Sequence, residues 1–472
     1  MNKFDTHIIC VDNNLVPSSN VEVFQKHLAR LKEDGIFSGK IGEIFSIRVL
    51  DEVLSNVIFV GIGNEDDYGD LFSIESAFGK AINEAYRLKS SQVLALLDNR
   101  MTDLATAKAV ETMHLANYRF DEFKTNPDEI SKKITISVSS PRDIKPLAEE
   151  AVLLASQTCT ARDLVNRPAN VITPETLAEI AVEEGEKFGF FVEVFEKEQI
   201  EELGMKAFLA VSQGSECPPK LIVMKYDGGG DETIALVGKG LTYDSGGYCI
   251  KPADSMLTMK SDMGGAAAVI AAMGAVAKSK IKVNLVAVVA ACENMISGGA
   301  YHTGDIIGSM SGKFIEIINT DAEGRLTLAD AITYAKQNLA ADKIIDIATL
   351  TGAVITALGN GITALIGNDE DMIESVEDAS RFATEKVWQL PCDKNIANQN
   401  KSKIADIKNS GGRDGGTIVA GMFLKEFVGD TPWVHLDIAG TSFTEKDLDN
   451  CPSGATGVGV RLIYNTIKNL SL

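Results

Sequence analysis

The sequence predicts an α/β fold in two domains, on three observations. β-rich runs alternate with helical patterns from end to end, the runs of the second part are almost continuously apolar, and one long amphipathic stretch separates the two parts. Near-continuous apolar strands between helices imply a sheet buried on both faces. The second part is therefore read as a mixed, largely parallel central sheet covered by helices. The length of 472 residues allows two or three domains at roughly 100–200 residues each.

In order along the chain, "THIICV", "IFSIRVL", "VIFVGIG", "QVLALLD" and "ITISVS" carry the branched and apolar residues of strands. Between them "VEVFQKHLARLK", "IESAFGKAINEAYRL" and "TAKAVETMHLANY" repeat apolar residues at helical spacing. "GIGNEDDYGD" lacks the spacing of a phosphate-binding loop and reads as a turn. Pro141 favours an exit from the first sheet, after which "DIKPLAEEAVLLASQTCTARDLV" reads as one helix. The domains are accordingly drawn at 1–141 and 166–472, with 142–165 as a linker helix. Beyond it "FVEVF", "AFLAVS", "KLIVMKY", "TIALVG", "KVNLVAVVAA", "KFIEIIN", "KIIDIATL" and "WVHLDIAG" are expected strands, and "MGGAAAVIAAMGAVAKS" and "LTLADAITYAKQN" are expected helices.

Composition narrows the functional classes. A net charge of -21 repels phosphate backbones, which disfavours nucleic acid as a partner. Seven scattered cysteines without a C-x-x-C pair argue against a disulfide framework or zinc ribbon and fit a reducing cytoplasm. The opening "MNKFDTHIICVDNN" does not read as a signal peptide. The longest small-apolar run, Met263 to Ala277, falls short of the roughly 18 residues that suggest a membrane span, so no membrane role is expected.

Ligands of buried sheets gather beyond the carboxyl ends of the strands. That rule selects "KGLTYDSGGYCIKP", "NTDAEGR", "TLTGA" and "AGTS". Together with the start of the small-residue helix they bring four carboxylates, Asp244, Asp262, Asp321 and Glu323, toward Lys239, Lys251 and Arg325. Like charges in one site raise each other's pKa, so such a set needs compensation. Two divalent cations would balance the carboxylates, and Lys251 and Arg325 would balance a hydroxide and one further anion. With five histidines and no H-E-x-x-H, metal chemistry here must be led by carboxylates. A plainer reading stays open, since Asp262 and Asp321 could each cap a helix, and His435 reads as a satisfied core histidine.

These motifs resemble the leucyl aminopeptidase family, the M17 cytosol aminopeptidases. "NTDAEGRL" stands at 319–326, "VGKGLTYDSGGYCIKP" and "MKSDMGGAAAV" lie upstream, and "RDLVNRPANVITPETLA", "ATLTGA", "ADIKN", "GGTIVAGMFLKEFV" and "PWVHLDIAG" extend the likeness from Ala161 to Tyr464. The resemblance implies a macrodomain-like N-terminal domain and a catalytic C-terminal domain. It also implies a two-metal aminopeptidase acting on peptides with a free N-terminus, leucine-like residues preferred. One metal would take Lys239, Asp244, Asp262 and Glu323. The second, more exchangeable, would take Asp244, Asp321 and Glu323, with the Asp321 carbonyl helping.

Manganese or zinc is expected, with magnesium an option at the exchangeable site. As a ligand Lys239 must be neutral, which costs about 4–5 kcal/mol at pH 7 that a dication and burial can offset. The metals would activate a bridging water and polarise the scissile carbonyl, Lys251 would stabilise the oxyanion, and Arg325 would hold a bicarbonate that shuttles the proton. Met259, Thr349 and Gly352 would form the side-chain pocket, and the Leu350 carbonyl would contact the substrate backbone. Met259 reads equally well as a core residue. The family resemblance further implies a homohexamer. The alternative is a hexameric DNA-binding or regulatory protein of the same fold. Two departures, Tyr248 with Cys249 and His302 with Thr303, remove no ligand.

Overall fold

The computed structural model describes residues 4–18, 22–48, 56–126 and 132–471. It divides into two compact units, Met1–Cys159 with Glu445–Ser453, and Thr160–Thr444 with Gly454–Leu472. The stretch expected as a linker is the helix Lys145–Asn166, and the division falls inside it.

The first unit is built on β1 (Thr6–Asp12), β2 (Ile44–Arg48), β3 (Asn56–Gly63), β4 (Gln92–Leu96) and β5 (Thr135–Ser139) in the order β2-β3-β1-β4-β5. All neighbours are parallel except β2 with β3. Val49 and Leu50, expected at the end of β2, lie outside the described residues. Helix Leu71–Arg87 buries Ile74, Ala77, Phe78, Ala81, Ile82 and Ala85, a stripe at i, i+3, i+4, i+7, i+8 and i+11 that covers the sheet. Asp70 caps it by accepting the Ser73 N–H. In "GIGNEDDYGD" the first three residues end β3, and a short 3-10 helix over Glu65–Gly69 follows Asn64.

In the second unit the strands are β6 (Phe191–Phe195), β7 (Lys220–Asp227), β8 (Thr233–Asp244), β9 (Asn284–Asn294), β10 (Ile306–Ile307), β11 (Ile315–Glu316), β12 (Lys343–Ala348), β13 (Thr363–Gly367), β14 (Val387–Gln389), β15 (Ile407–Lys408), β16 (Trp433–Asp437), β17 (Phe443–Thr444) and β18 (Gly454–Ala455). Eight of them form one sheet in the order β14-β13-β16-β12-β8-β9-β7-β6. Its middle, β16-β12-β8-β9, is parallel throughout, while β13 and β7 run antiparallel to their inner neighbours. The sheet is thus mixed with a parallel core, as the apolar strands imply.

Helix Gly264–Ser279 is apolar all round and buried from Gly264 to Ala277, and its small residues let it lie close to β8. Helix Gly324–Asn338 is buried through Ala335. Among the described residues no helix is long and apolar enough to cross a membrane.

Three sequence expectations need correction. "AFLAVS" is a helix, Lys206–Ser212. A short apolar run fits a buried helix as well as a buried strand. The deciding partner is remote: the Asp330 carboxylate accepts the Phe208 N–H at 3.0 Å, at the helix start. "KFIEIIN" contributes only β11, which belongs to a separate sheet β10-β11-β15 and not to the central one. His435 is buried, but only its Nδ1 is engaged, 2.6 Å from Asp346 Oδ1, and Nε2 has no partner among the described residues.

Candidate metal centre

Because β16, β12, β8 and β9 are parallel, their carboxyl ends share one edge of the sheet. Register fixes who meets there: Asp244 stands opposite Asn294, and Ala348 opposite Asp437. Lys239 lies further back on β8, and its side chain reaches forward to the same edge. Gly324 makes room for it, since a Cβ at that position would come within 2.3 Å of Lys239 Cε. The turn after β8 needs Gly246, whose φ of +85° is a conformation that side chains avoid.

Six of the seven predicted charged residues are linked by ion pairs. Lys239 Nζ lies 2.7 Å from Asp262 Oδ2 and 2.9 Å from Glu323 Oε1, and donates to the Thr349 carbonyl at 3.0 Å. Lys251 Nζ bridges Asp244 Oδ2 at 2.8 Å and Asp321 Oδ1 at 2.5 Å. Asp262 does not cap the helix after it. It accepts from Thr349 Oγ1 at 2.7 Å, and the helix Gly264–Ser279 has no side-chain cap. Arg325 is buried nearby and donates from Nη1 to the Asn409 carbonyl at 2.8 Å, while its Nε has no partner among the described residues.

The electrostatics are those of a site with too much negative charge in too little water. Burial raises the Glu323 pKa to about 8, with Asp244 and Asp262 adding to it against Lys239. Asp262 is raised to about 6 by burial, despite Lys239. Burial alone would lower the Lys239 ammonium, but Asp262, Glu323 and Asp244 reverse this and hold it above the usual lysine value. Lys251 is raised in the same way, chiefly by Asp244 against its burial. Burial lowers Arg325 to about 10, which leaves it charged at neutral pH.

The donor set suits a dication. Asp244, Asp262 and Glu323 each offer a carboxylate oxygen, all within 4.8 Å of one another. Glu323 Oε2 is buried with no partner among the described residues, a costly state unless a cation completes it. Asp321 falls outside this trio, its side chain 34% exposed at the open side.

Of the expected pocket residues, Thr349 touches both Lys239 and Asp262. Met259 opens a short 3-10 helix ending beside Asp262 and is half-buried. Gly352 is exposed, and a Cβ there would meet nothing within 4 Å. The two departures from the family pattern meet each other, with the Tyr248 and His302 rings stacked at 4.8 Å.

Sequence reasoning missed the neutral and anionic groups that hold the charged ones. Asn294 donates to Asp244 Oδ1 at 2.8 Å and to the Thr320 carbonyl at 3.0 Å. Asp437 accepts the Leu350 N–H at 3.1 Å and the Thr351 hydroxyl at 2.6 Å, fixing the loop after β12. Their one signal in the sequence was position, at the ends of the parallel strands.

Comparison with known proteins identifies the family. Residues 159–464 match the model of the cytosol aminopeptidase family, catalytic domain, and residues 10–127 that of the same family's N-terminal domain. A "Probable cytosol aminopeptidase" of Clostridium perfringens (strain 13 / Type A) is 50% identical over 448 residues, covering 92% of this chain and 90% of the relative. One of the same description from Treponema denticola is 48% identical over 449 residues, covering 93% and 94%. Among solved structures, the bottromycin maturation enzyme BotP in complex with Mn is similar at a TM-score of 0.87 and 30% identity, over 99% of this chain and 100% of that one.

Proposed function

The chain belongs to the cytosol aminopeptidase family, and from that premise we propose that it is a two-metal aminopeptidase that removes leucine-like residues from the N-termini of peptides. The observation that carries this reading is the trio Asp244, Asp262 and Glu323, with carboxylate oxygens within 4.8 Å, threaded by Lys239. Lys239, Asp244, Asp262 and Glu323 would hold one ion. Asp244, Asp321 and Glu323 would hold the other, and the exposure of Asp321 suits the more exchangeable of the two. A manganese-bound neighbour of the same fold supports a metal here, and manganese or zinc fits the ligands. Bound dications supply Lewis acidity and a water acidified enough to attack a carbonyl near neutral pH.

The chain's own residues do the rest. Lys251 stays protonated, and the Asp244 and Asp321 carboxylates on either side aim its ammonium at the reacting carbonyl, where it stabilises the oxyanion. Arg325, charged and held through Nη1, keeps Nε available and would hold a bicarbonate, which would supply a group able to take up and give back a proton. A free terminal amine could ligate one of the two ions, which an internal peptide N–H cannot do, and this accounts for exopeptidase action. Met259 and Thr349 face the first side chain, Gly352 leaves it space, and the Leu350 carbonyl contacts the substrate backbone. The family resemblance extends the proposal to a cytoplasmic homohexamer.

The test pairs elemental analysis with a panel of amino-acid amides. Two equivalents of metal per chain, and turnover of leucine amide that a chelator abolishes, are expected. Full turnover in both Lys251→Ala and Glu323→Ala would end the proposal.

A further inference from the structure

We propose that Asn409 is a positioning residue that sets where Asp321 stands in the metal centre. The inference rests on the two-metal reading above. β11 and β15 are parallel neighbours, with Glu316 beside Lys408. β11 leads directly into the turn that carries Asp321, so the residue after β15 arrives beside that turn. Asn409 is fully buried there, and its backbone N–H extends the ladder to the Glu316 carbonyl at 3.0 Å.

Its amide then grips the turn from four directions. Oδ1 accepts the N–H groups of Ile318 at 2.8 Å and Asn319 at 3.3 Å, while Nδ2 donates to the carbonyls of Asn319 at 2.7 Å and Ala322 at 3.2 Å. These contacts bracket Asp321 on both sides, and the Asn409 carbonyl at the same time receives Arg325 Nη1. Only an asparagine-like side chain has both acceptor and donor at this reach. No other side-chain partner among the described residues touches the backbone on both sides of Asp321, and its carboxylate is the most exposed of the four. Glu323, by contrast, is also fixed by the helix that begins at Gly324.

The consequence is selective. Loss of the amide should loosen the ion that depends on Asp321 and spare the one held by Lys239, Asp244, Asp262 and Glu323. The experiment is manganese titration by calorimetry into metal-stripped protein, comparing wild type with Asn409→Ala. Expected is a loss of about 10–100-fold in affinity at one of two sites, the range seen when a ligand's supporting hydrogen bonds are removed, with the other site within about twofold. Equal weakening of both sites, or none, would overturn the inference, because a merely structural role cannot choose between them. Should Asn409→Ala not fold, Asn409→Asp, which retains the acceptor and loses the donors, decides by the same criterion. Failure of the wild-type protein to bind two ions would instead overturn the two-metal reading itself.

Discussion

Both units of this chain set a basic side chain among buried aspartates, and the contrast shows what separates a structural cluster from a site. In the first unit Arg100 forks across Asp12 and Asp98, with Nε and Nη2 on the two Asp98 oxygens at 2.9 and 2.6 Å and Nη1 paired with Asp12. Backbone N–H groups of Asn14 and Val16 complete Asp12 at 2.9 and 2.8 Å. Every carboxylate oxygen has a donor. In the second unit four carboxylates share two lysines, Glu323 Oε2 and Arg325 Nε are left over, and Glu323 is pushed up to about 8. Satisfied charge rigidifies a fold, whereas unsatisfied charge waits for a partner from outside.

The sharpest way to break this comparison is Glu323→Ala. It should lower dication affinity by more than the ~100-fold upper range for groups that merely support a ligand, with peptidase activity lost alongside. Retained metal content on elemental analysis would place Glu323 with the structural cluster instead. Next comes Lys251→Ala, for which kcat should fall by about 10²–10³-fold, the range for removal of one oxyanion donor, with metal content unchanged. A fall in metal content of the same size would show that the lysine holds the site together and does not act on the substrate.

The mirror experiment is Arg100→Ala. Removing one partner of a buried ion cluster costs about 3–5 kcal/mol, and because Arg100 is 31% exposed the lower end applies. Denaturant unfolding should report that loss while kcat per folded molecule stays the same, and a changed kcat would contradict the division of roles.

A gentler probe is pH. Asp262 and Glu323 are raised to about 6 and about 8 by burial, so below those values protons compete with metal. Affinity should therefore rise as pH increases from about 6 to about 8 and go on rising above it, because Lys239 must also shed its proton to ligate, with proton release on binding. Calorimetry in buffers of different ionisation enthalpy reads that release directly, and a buffer-independent heat would refute it. Smallest of all, Met259→Ala should shift preference from leucine amide toward alanine amide by about tenfold in kcat/KM, near the lower limit for apolar contacts in a pocket. An unchanged ratio would return Met259 to the core.

The central sheet was legible because its strands are buried on both faces and therefore apolar throughout, and the charged loops were legible because they interrupt that pattern at strand ends. The helix Lys206–Ser212 was not, since its partner Asp330 lies far along the chain and no local periodicity encodes it. β13 and β14 escaped for a related reason: "TALIG" and "VWQ" are too short to show a period. In the candidate metal centre, charge announced Lys239, Asp244, Asp262, Asp321 and Glu323. The supports Asn294, Asn409 and Asp437 carry no such signal, because an asparagine that orders a turn looks in sequence like one that faces water.

The parallel middle of the second sheet has one more consequence. β12 lies between β8, some hundred residues earlier, and β16, which comes near the end of the chain. Such pairing closes late and slowly. During synthesis, then, a ribosome-tethered chain that has not yet extruded β16 lacks Asp437 and the neighbouring strand that order the substrate loop, and it should be inert toward leucine amide. A degradative activity that switches on only after release would spare the other unfinished proteins around it, and a stalled chain ending before Trp433 that already cleaves the amide would disprove this latency.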